Sequence, residues 1–289
     1  MGSLYGFEVS SELPLERLNA AAGTRGELRV EAASEPLRAS EQEPVSTLID
    51  EEGRCWYASY ELTGGRCLLE LPPAVSFLLE PEEGRIVVDS RDDDAELLEH
   101  RIASSAICTL LALRGDLVLH AAAVEVDGQA VLFCGPTPRG KSTLARVLGE
   151  SGCRILGEDG IAVVLDEDGP VAFPGARGVR VRGGNSGDGT HTDLVADPNS
   201  EPPPCPVGAV VLLGERGDAL EIEPLEPGTG TRPAHSQPDP QRRARLDRRG
   251  LCWPGDPLRS APAFSASIPD DLEALPATTQ RLLALLMLS

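Results

Sequence analysis

One lysine limits what this chain can be. Lys and Arg together number 26 in 289 residues, and Lys141 is the only lysine. It stands in Gly135-Pro136-Thr137-Pro138-Arg139-Gly140-Lys141-Ser142, followed by Thr143. That run fits G-x-x-x-x-G-K-[ST], a phosphate-binding loop. The pattern demands a strand, a tight turn and a helix in that order, because the helix N-terminus must present backbone N–H groups to an anion. The flanks agree: Ala130 to Cys134 is an apolar run, and Ser142 to Glu150 reads as a helix. Elsewhere the chain writes its cations as arginine. At a tight turn a compact ammonium reaches oxygens that the planar guanidinium fork cannot.

Composition excludes some roles. The net charge is −20 and 41% of residues are hydrophobic. Such an acid excess repels phosphate backbones and anionic lipid, so neither nucleic acid nor membrane is expected as a partner. The apolar content is enough for a core. Seven cysteines, none in C-x-x-C, make a poor disulfide framework and a poor zinc site. Reduced, buried thiols in a cytoplasmic protein are expected. Glu8, Glu12 and Glu16 interrupt any signal-like apolar run, and Leu282 to Leu288 is too short to span a bilayer.

The coarse organisation is α/β (α+β), with a small β-rich N-terminal domain over 1–91 and a nucleotide-binding domain over 92–289. Leu28 to Val30, Cys55 to Leu62, Arg66 to Leu71 and Arg85 to Asp89 read as short strands. Leu97, Leu98, Ile102, Ala106, Leu110 and Leu113 recur at helical spacing after Asp92-Asp93-Asp94, which suits a helix N-terminus, and Arg114-Gly115 stops that helix. Leu117 to Val126 and Ala130 to Cys134 flank Asp127-Gly128, a hairpin signal. Strands are expected at Arg154 to Leu156, Ile161 to Leu165, Val171 to Pro174, Val207 to Leu213 and Leu220 to Glu223. Residues 183–206, rich in Gly, Pro, Asp and Thr, read as a loop. Leu272 to Leu288 reads as a C-terminal helix, with Pro276 marking a break or a late start.

Two acidic pairs follow the phosphate loop. Asp166-Glu167 ends an apolar run but leads into Asp168-Gly169-Pro170, the pattern of an exposed turn. Glu158-Asp159 lies between Gly157 and Gly160, and those glycines permit close approach of a substrate. The second pair is therefore preferred as the acid that binds metal and accepts a proton. His120 ends a strand and is either structural or a phosphate neighbour. In the loop itself, Pro138 cannot donate an N–H to a phosphate.

The block Leu119-His120-Ala121-Ala122-Ala123-Val124, the hairpin, the phosphate loop and Arg154-Ile155-Leu156-Gly157-Glu158-Asp159 resemble the HPr kinase/phosphorylase-like P-loop kinases. Phe173-Pro174-Gly175 resembles that family's aromatic-Pro-Gly turn, and Pro206 to Leu213 a later core strand. Tyr5-Gly6-Phe7-Glu8-Val9-Ser10-Ser11 resembles the opening of diverged HPr-kinase-related proteins, including kinases encoded beside lasso-peptide genes. The resemblance implies a P-loop core of HPr-kinase/PEP-carboxykinase type that uses ATP and Mg²⁺. It implies that the loop Gly135, Pro136, Thr137, Pro138, Arg139, Gly140, Lys141, Ser142 and Thr143 holds the nucleotide, with Lys141 on phosphate. Ser142, Glu158 and Asp159 would then serve the metal, Asp159 would act as base and His120 would lie near the phosphates. Glu stands where the family usually has the first Asp of the pair. The family's Gly-Asn-Arg signature loop is not found, so neither HPr as substrate nor the reverse reaction is expected.

The resulting expectation is an ATP-dependent kinase acting on a hydroxyl, serine foremost, of a peptide or protein such as a ribosomal peptide precursor. A small-molecule hydroxyl kinase and a nucleotide-binding regulator without catalysis are the alternatives; a homo-oligomer is compatible with all three. The dense basic run Arg242 to Arg249 could supply an arginine to the γ-phosphate, grip an acidic peptide or pair with the acidic surface. No L-S-G-G-Q signature supports an ABC-type ATPase.

Overall fold

Asp127 and Gly128 take φ of 50° and 80°, so both central residues of the turn are left-handed. That is the backbone a two-residue hairpin requires. It locks Val126 opposite Gln129 and Ala121 opposite Cys134. This hairpin is the centre of the second of two compact units in a computed structural model. The structure describes residues 2–16, 18, 24–39, 42–49, 53–91, 94–136, 139–176, 179–182, 191–194, 202–225, 261–271 and 274–287. The architecture is mixed α/β, with the large sheets divided between the two units. Among the described residues, no helix is long and apolar enough to cross a membrane.

The first unit runs to Leu117 and contains an eight-stranded sheet. Its spatial order is β1 (Gly2–Leu4), β2 (Phe7–Ser11), β3 (Glu27–Ala32), β8 (Arg85–Ser90), β7 (Val75–Glu80), β6 (Cys67–Leu71), β5 (Cys55–Glu61) and β4 (Ser46–Ile49). Pairing is antiparallel except for β2–β3 and β3–β8. Alternate residues Leu28, Val30, Ile86, Val88, Phe77 and Leu79 are buried, as a half-covered sheet requires. Strands β1, β2, β4 and β7 escape the sequence reading.

The two compact units divide between Leu117 and Val118, so the helical stretch after residue 91 groups with the first. The cause is the apolar face of the helical stretch, which packs within the first unit. Tyr5 Oη donates to the Ala103 carbonyl at 3.3 Å, and Cys108 Sγ donates to Tyr5 Oη at 3.3 Å. Nor is that stretch a single regular helix. It comprises α1 (Ala95–Arg101), a π-helical segment (Ile102–Ile107) and α2 (Cys108–Leu113). Asp94 caps α1, accepting from Leu97 N–H at 2.9 Å. Spacings of four from Ile102 to Ala106 to Leu110 drift around an α-helix but hold better to one face when the turn is widened.

In the second unit the sheet runs β12 (Arg154–Gly157), β10 (Ala121–Val126), β11 (Gln129–Cys134), β17 (Cys205–Leu213), β14 (Gly169–Phe173), β13 (Ile161–Asp166) and β9 (Leu117–Leu119). Strand β17 is parallel to β11, with Leu212 opposite Cys134. The start of β17 pairs with β14, and its later residues pair in parallel with β19 (Ala263–Ser267), which carries β18 (Glu221–Pro224). Helices α3 (Lys141–Glu150) and α4 (Leu275–Met287) share one core with these strands: Leu144, Leu148, Phe133, Val211, Phe264 and Leu282 are buried together. Pro276 falls in the first turn of α4, where its missing N–H leaves no bond unmade. Residues 183–206 are not loop throughout. Strand β16 (His191–Leu194) pairs with β15 (Val179–Arg182), and β17 begins at Cys205.

Candidate functional site

Strand directions alone gather the candidate residues. Strand β10 is antiparallel to β11, so its first residue, Ala121, lies opposite the last residue of β11, Cys134. His120 precedes Ala121 and Gly135 follows Cys134, so both leave the sheet at the same end. Strand β12 is antiparallel to β10, with Gly157 opposite Ala123, and Glu158-Asp159 emerges there too. Ligands of α/β sheets sit beyond the carboxyl ends of parallel strands, and β11 and β17 both end here.

Gly135 begins the turn into α3 with φ of 142°. A Cβ at that position would stand 2.8 Å from the Leu213 carbonyl oxygen. Only glycine lets the turn pass this close to β17. Gly135→Ala is therefore expected to destabilise the unit by about 2–4 kcal/mol, read as a lower urea midpoint. Gly140, left-handed at φ 91°, occupies the N-cap of α3 and brings no side-chain cap. The first intrahelical bond runs from Leu144 N–H to the Gly140 carbonyl. The N–H groups of Lys141, Ser142 and Thr143 thus belong to the helix terminus, which carries partial positive charge. Pro136 is exposed, while Arg139, Ser142 and Thr143 are half-buried. Thr137 and Pro138 lie outside the described residues, as do Arg242 to Arg249, Cys252 and Trp253.

Lys141 is 7% exposed, and its Nζ donates to the Gly135 carbonyl at 2.8 Å. The side chain folds back over the turn that precedes it. Burial lowers its pKa below the ordinary lysine value, while Asp159 and then Cys134 pull it back up. The ammonium is thus under-solvated, and any added anion would relieve it. Beside it, burial pushes the Cys134 thiol up to about 12 against the opposing pull of Lys141. That thiol is neutral at physiological pH and is no nucleophile. The six described cysteines are all free thiols.

Glu158 and Asp159 sit in a tight γ-turn. Gly160 N–H donates to the Glu158 carbonyl at 2.7 Å, and Asp159 between them has φ of 62°. A γ-turn with positive central φ is rare and strained. Asp tolerates that region better than most residues. His120 holds the peptide from outside: its Nδ1–H donates to the Asp159 carbonyl at 3.1 Å. This bond places the imidazole proton on Nδ1, so the neutral ring carries its lone pair on Nε2. Gly157, at φ 155°, makes room for the turn; a Cβ there would meet Gly175 N at 3.1 Å. Glu158 is buried and Asp159 half-buried. The Asp166-Glu167 pair, by contrast, is exposed on the turn joining β13 and β14, with Asp168 N–H bonded to Asp166 Oδ1 at 2.9 Å.

Two residues absent from the sequence reading also belong to this end of the sheet. Glu215 and Arg216 follow β17. Arg139 Nη2 forms an ion pair with Glu215 Oε1, and the Arg216 guanidinium lies against Gly140. The one sequence signal for them is a charged pair between glycines, Gly214-Glu215-Arg216-Gly217, directly after an apolar strand.

No protein-family model matches the chain, and no curated protein does. Among solved structures, the Hpr(Ser) kinase/phosphatase from Coxiella burnetii is similar at 16% identity and a TM-score of 0.35, over 60% of this chain and 99% of that one.

Proposed function

We propose that the protein is an ATP-dependent kinase that transfers the γ-phosphoryl group to a hydroxyl, foremost a serine, of a peptide or protein. The observation that carries this reading is the convergence of Lys141 and Asp159. A buried ammonium beside an uncapped helix N-terminus lies within electrostatic reach of a carboxylate held in a strained turn. Backbone N–H groups of the turn and of α3 would hold phosphate, with Lys141 bridging the β- and γ-phosphates. As the acceptor oxygen bonds to the γ-phosphorus, Asp159 takes the hydroxyl proton, and the bond to the β-phosphate oxygen breaks to release ADP. His120, through the Asp159 carbonyl, keeps that carboxylate in place.

Mg²⁺ fits the donor set. The hydroxyl of Ser142 and the carboxylates of Glu158 and Asp159 are hard oxygen ligands. Among the described residues no group of three His, Cys, Asp or Glu could hold a metal by itself. Mg²⁺ bound through one or two carboxylates plus nucleotide phosphates needs no such group. Bound there, Mg²⁺ supplies neutralisation of phosphate charge.

The test is ADP release with and without a serine-containing peptide, with mass spectrometry of the peptide. ADP that accumulates only with the peptide, together with phosphoserine, is the expected result. ADP accumulation with members of a metabolite panel but not with peptides would move the acceptor to small molecules. Tight ATP binding without transfer to any acceptor would make the protein a nucleotide-binding regulator.

A further inference from the structure

We propose that Arg216 determines nucleotide specificity, favouring a nucleoside triphosphate over the diphosphate through the terminal phosphate. The proposal rests on the kinase reading of the Lys141 site. Arg216 lies one loop beyond β17, whose parallel pairing with β11 sets that loop beside the phosphate turn. Its Nη2 is 3.1 Å from the point a Cβ on Gly140 would occupy. Gly140 immediately precedes Lys141, the residue that reaches the β- and γ-phosphates in such turns. The guanidinium therefore stands against the phosphate turn itself.

The other guanidinium nitrogen, Nη1, pairs with Asp270 Oδ1 at 2.6 Å. Asp270 is 78% exposed in its side chain, so the pair is solvent-screened and adds little to stability. Stability alone is a weak reason to lay an arginine on this turn. The loop carrying it is nevertheless tightly fastened. Gly214 N–H donates to the Ala266 carbonyl at 2.9 Å, Ser267 Oγ to the Glu215 carbonyl at 3.0 Å and Gly217 N–H to the Ile268 carbonyl at 3.3 Å. The backbone is fixed while the charged head is held by an exchangeable partner. A phosphate with two or more negative oxygens outcompetes a single exposed carboxylate for a guanidinium, and the fork can retain Asp270 on its other edge.

The experiment measures Kd for ATP and ADP, each with Mg²⁺, on the full chain. It uses wild type, Arg216→Ala, Arg216→Gln and Asp270→Asn, with thermal midpoints as the folding control. Arg216→Ala and Arg216→Gln are expected to weaken ATP binding at least tenfold and ADP binding less than twofold. Asp270→Asn should leave ADP affinity unchanged and shift ATP affinity by less than threefold. Equal losses for both nucleotides in the folded variants, or no loss for either, would overturn the role of Arg216 while the kinase reading stands. A wild type that binds neither nucleotide would overturn both.

Discussion

Lys141→Met is expected to abolish nucleotide binding, with Kd for ATP raised at least 100-fold, while the unfolding midpoint of the nucleotide-free protein stays equal or rises. The two halves have one cause. Lys141 is buried and its pKa is lowered by that burial. A depressed lysine pKa means that the unfolded chain binds the proton more tightly than the folded one. The penalty is therefore fully present below the folded pKa and disappears as pH rises through the ordinary lysine value of 10.5. At neutral pH a methionine of similar shape removes that penalty along with the charge, though it leaves the Gly135 carbonyl without its lysine donor. Phosphate binding then lacks the charge-assisted bonds that the ammonium supplies, each worth about 1.5–3 kcal/mol. Isothermal titration with ATP and a thermal melt of the same samples check both halves. A variant that binds ATP normally would remove Lys141 from the site.

Asp159→Asn is expected to reduce turnover about 10³-fold and to change ATP affinity less than threefold. The magnitude follows from loss of general-base catalysis, worth about 10²–10⁴. Asparagine is nearly isosteric and tolerates positive φ as well as aspartate does, so the γ-turn and its bond to His120 should persist. Single-turnover phosphoryl transfer to the peptide acceptor, with separate nucleotide titrations, distinguishes lost chemistry from lost binding. Turnover retained in this variant would end the assignment of Asp159 as base.

Local rules made much of the second unit readable. The hairpin at Asp127-Gly128, the turn into α3 and the glycines around Glu158-Asp159 each follow from backbone requirements of a few adjacent residues. The exposed turn at Asp166 was readable for the same reason. What depended on distant pairing was not. Glu215 and Arg216 join the site because Leu212 pairs in parallel with Cys134, and no local pattern encodes that register. Strand β19 escaped because Ala263-Phe264-Ser265-Ala266-Ser267 has only one large apolar residue; it forms by pairing with β17 and β18. The grouping of residues 95–113 depends on distant pairing likewise. Their periodicity marks a helix but says nothing of which sheet receives its apolar face, and Tyr5, some hundred residues earlier, decides that.

The same helix has a geometric consequence. A π-helical stretch is an α-helix that has taken in an extra residue without shifting the faces on either side of it. Between Ile102 and Ile107 the widened turn therefore acts as a phase buffer. The side chains of Tyr5 and Cys108 meet at the carbonyl of Ala103, inside that stretch. The slack in the helix is thus taken up at the place where the chain's first strands anchor it.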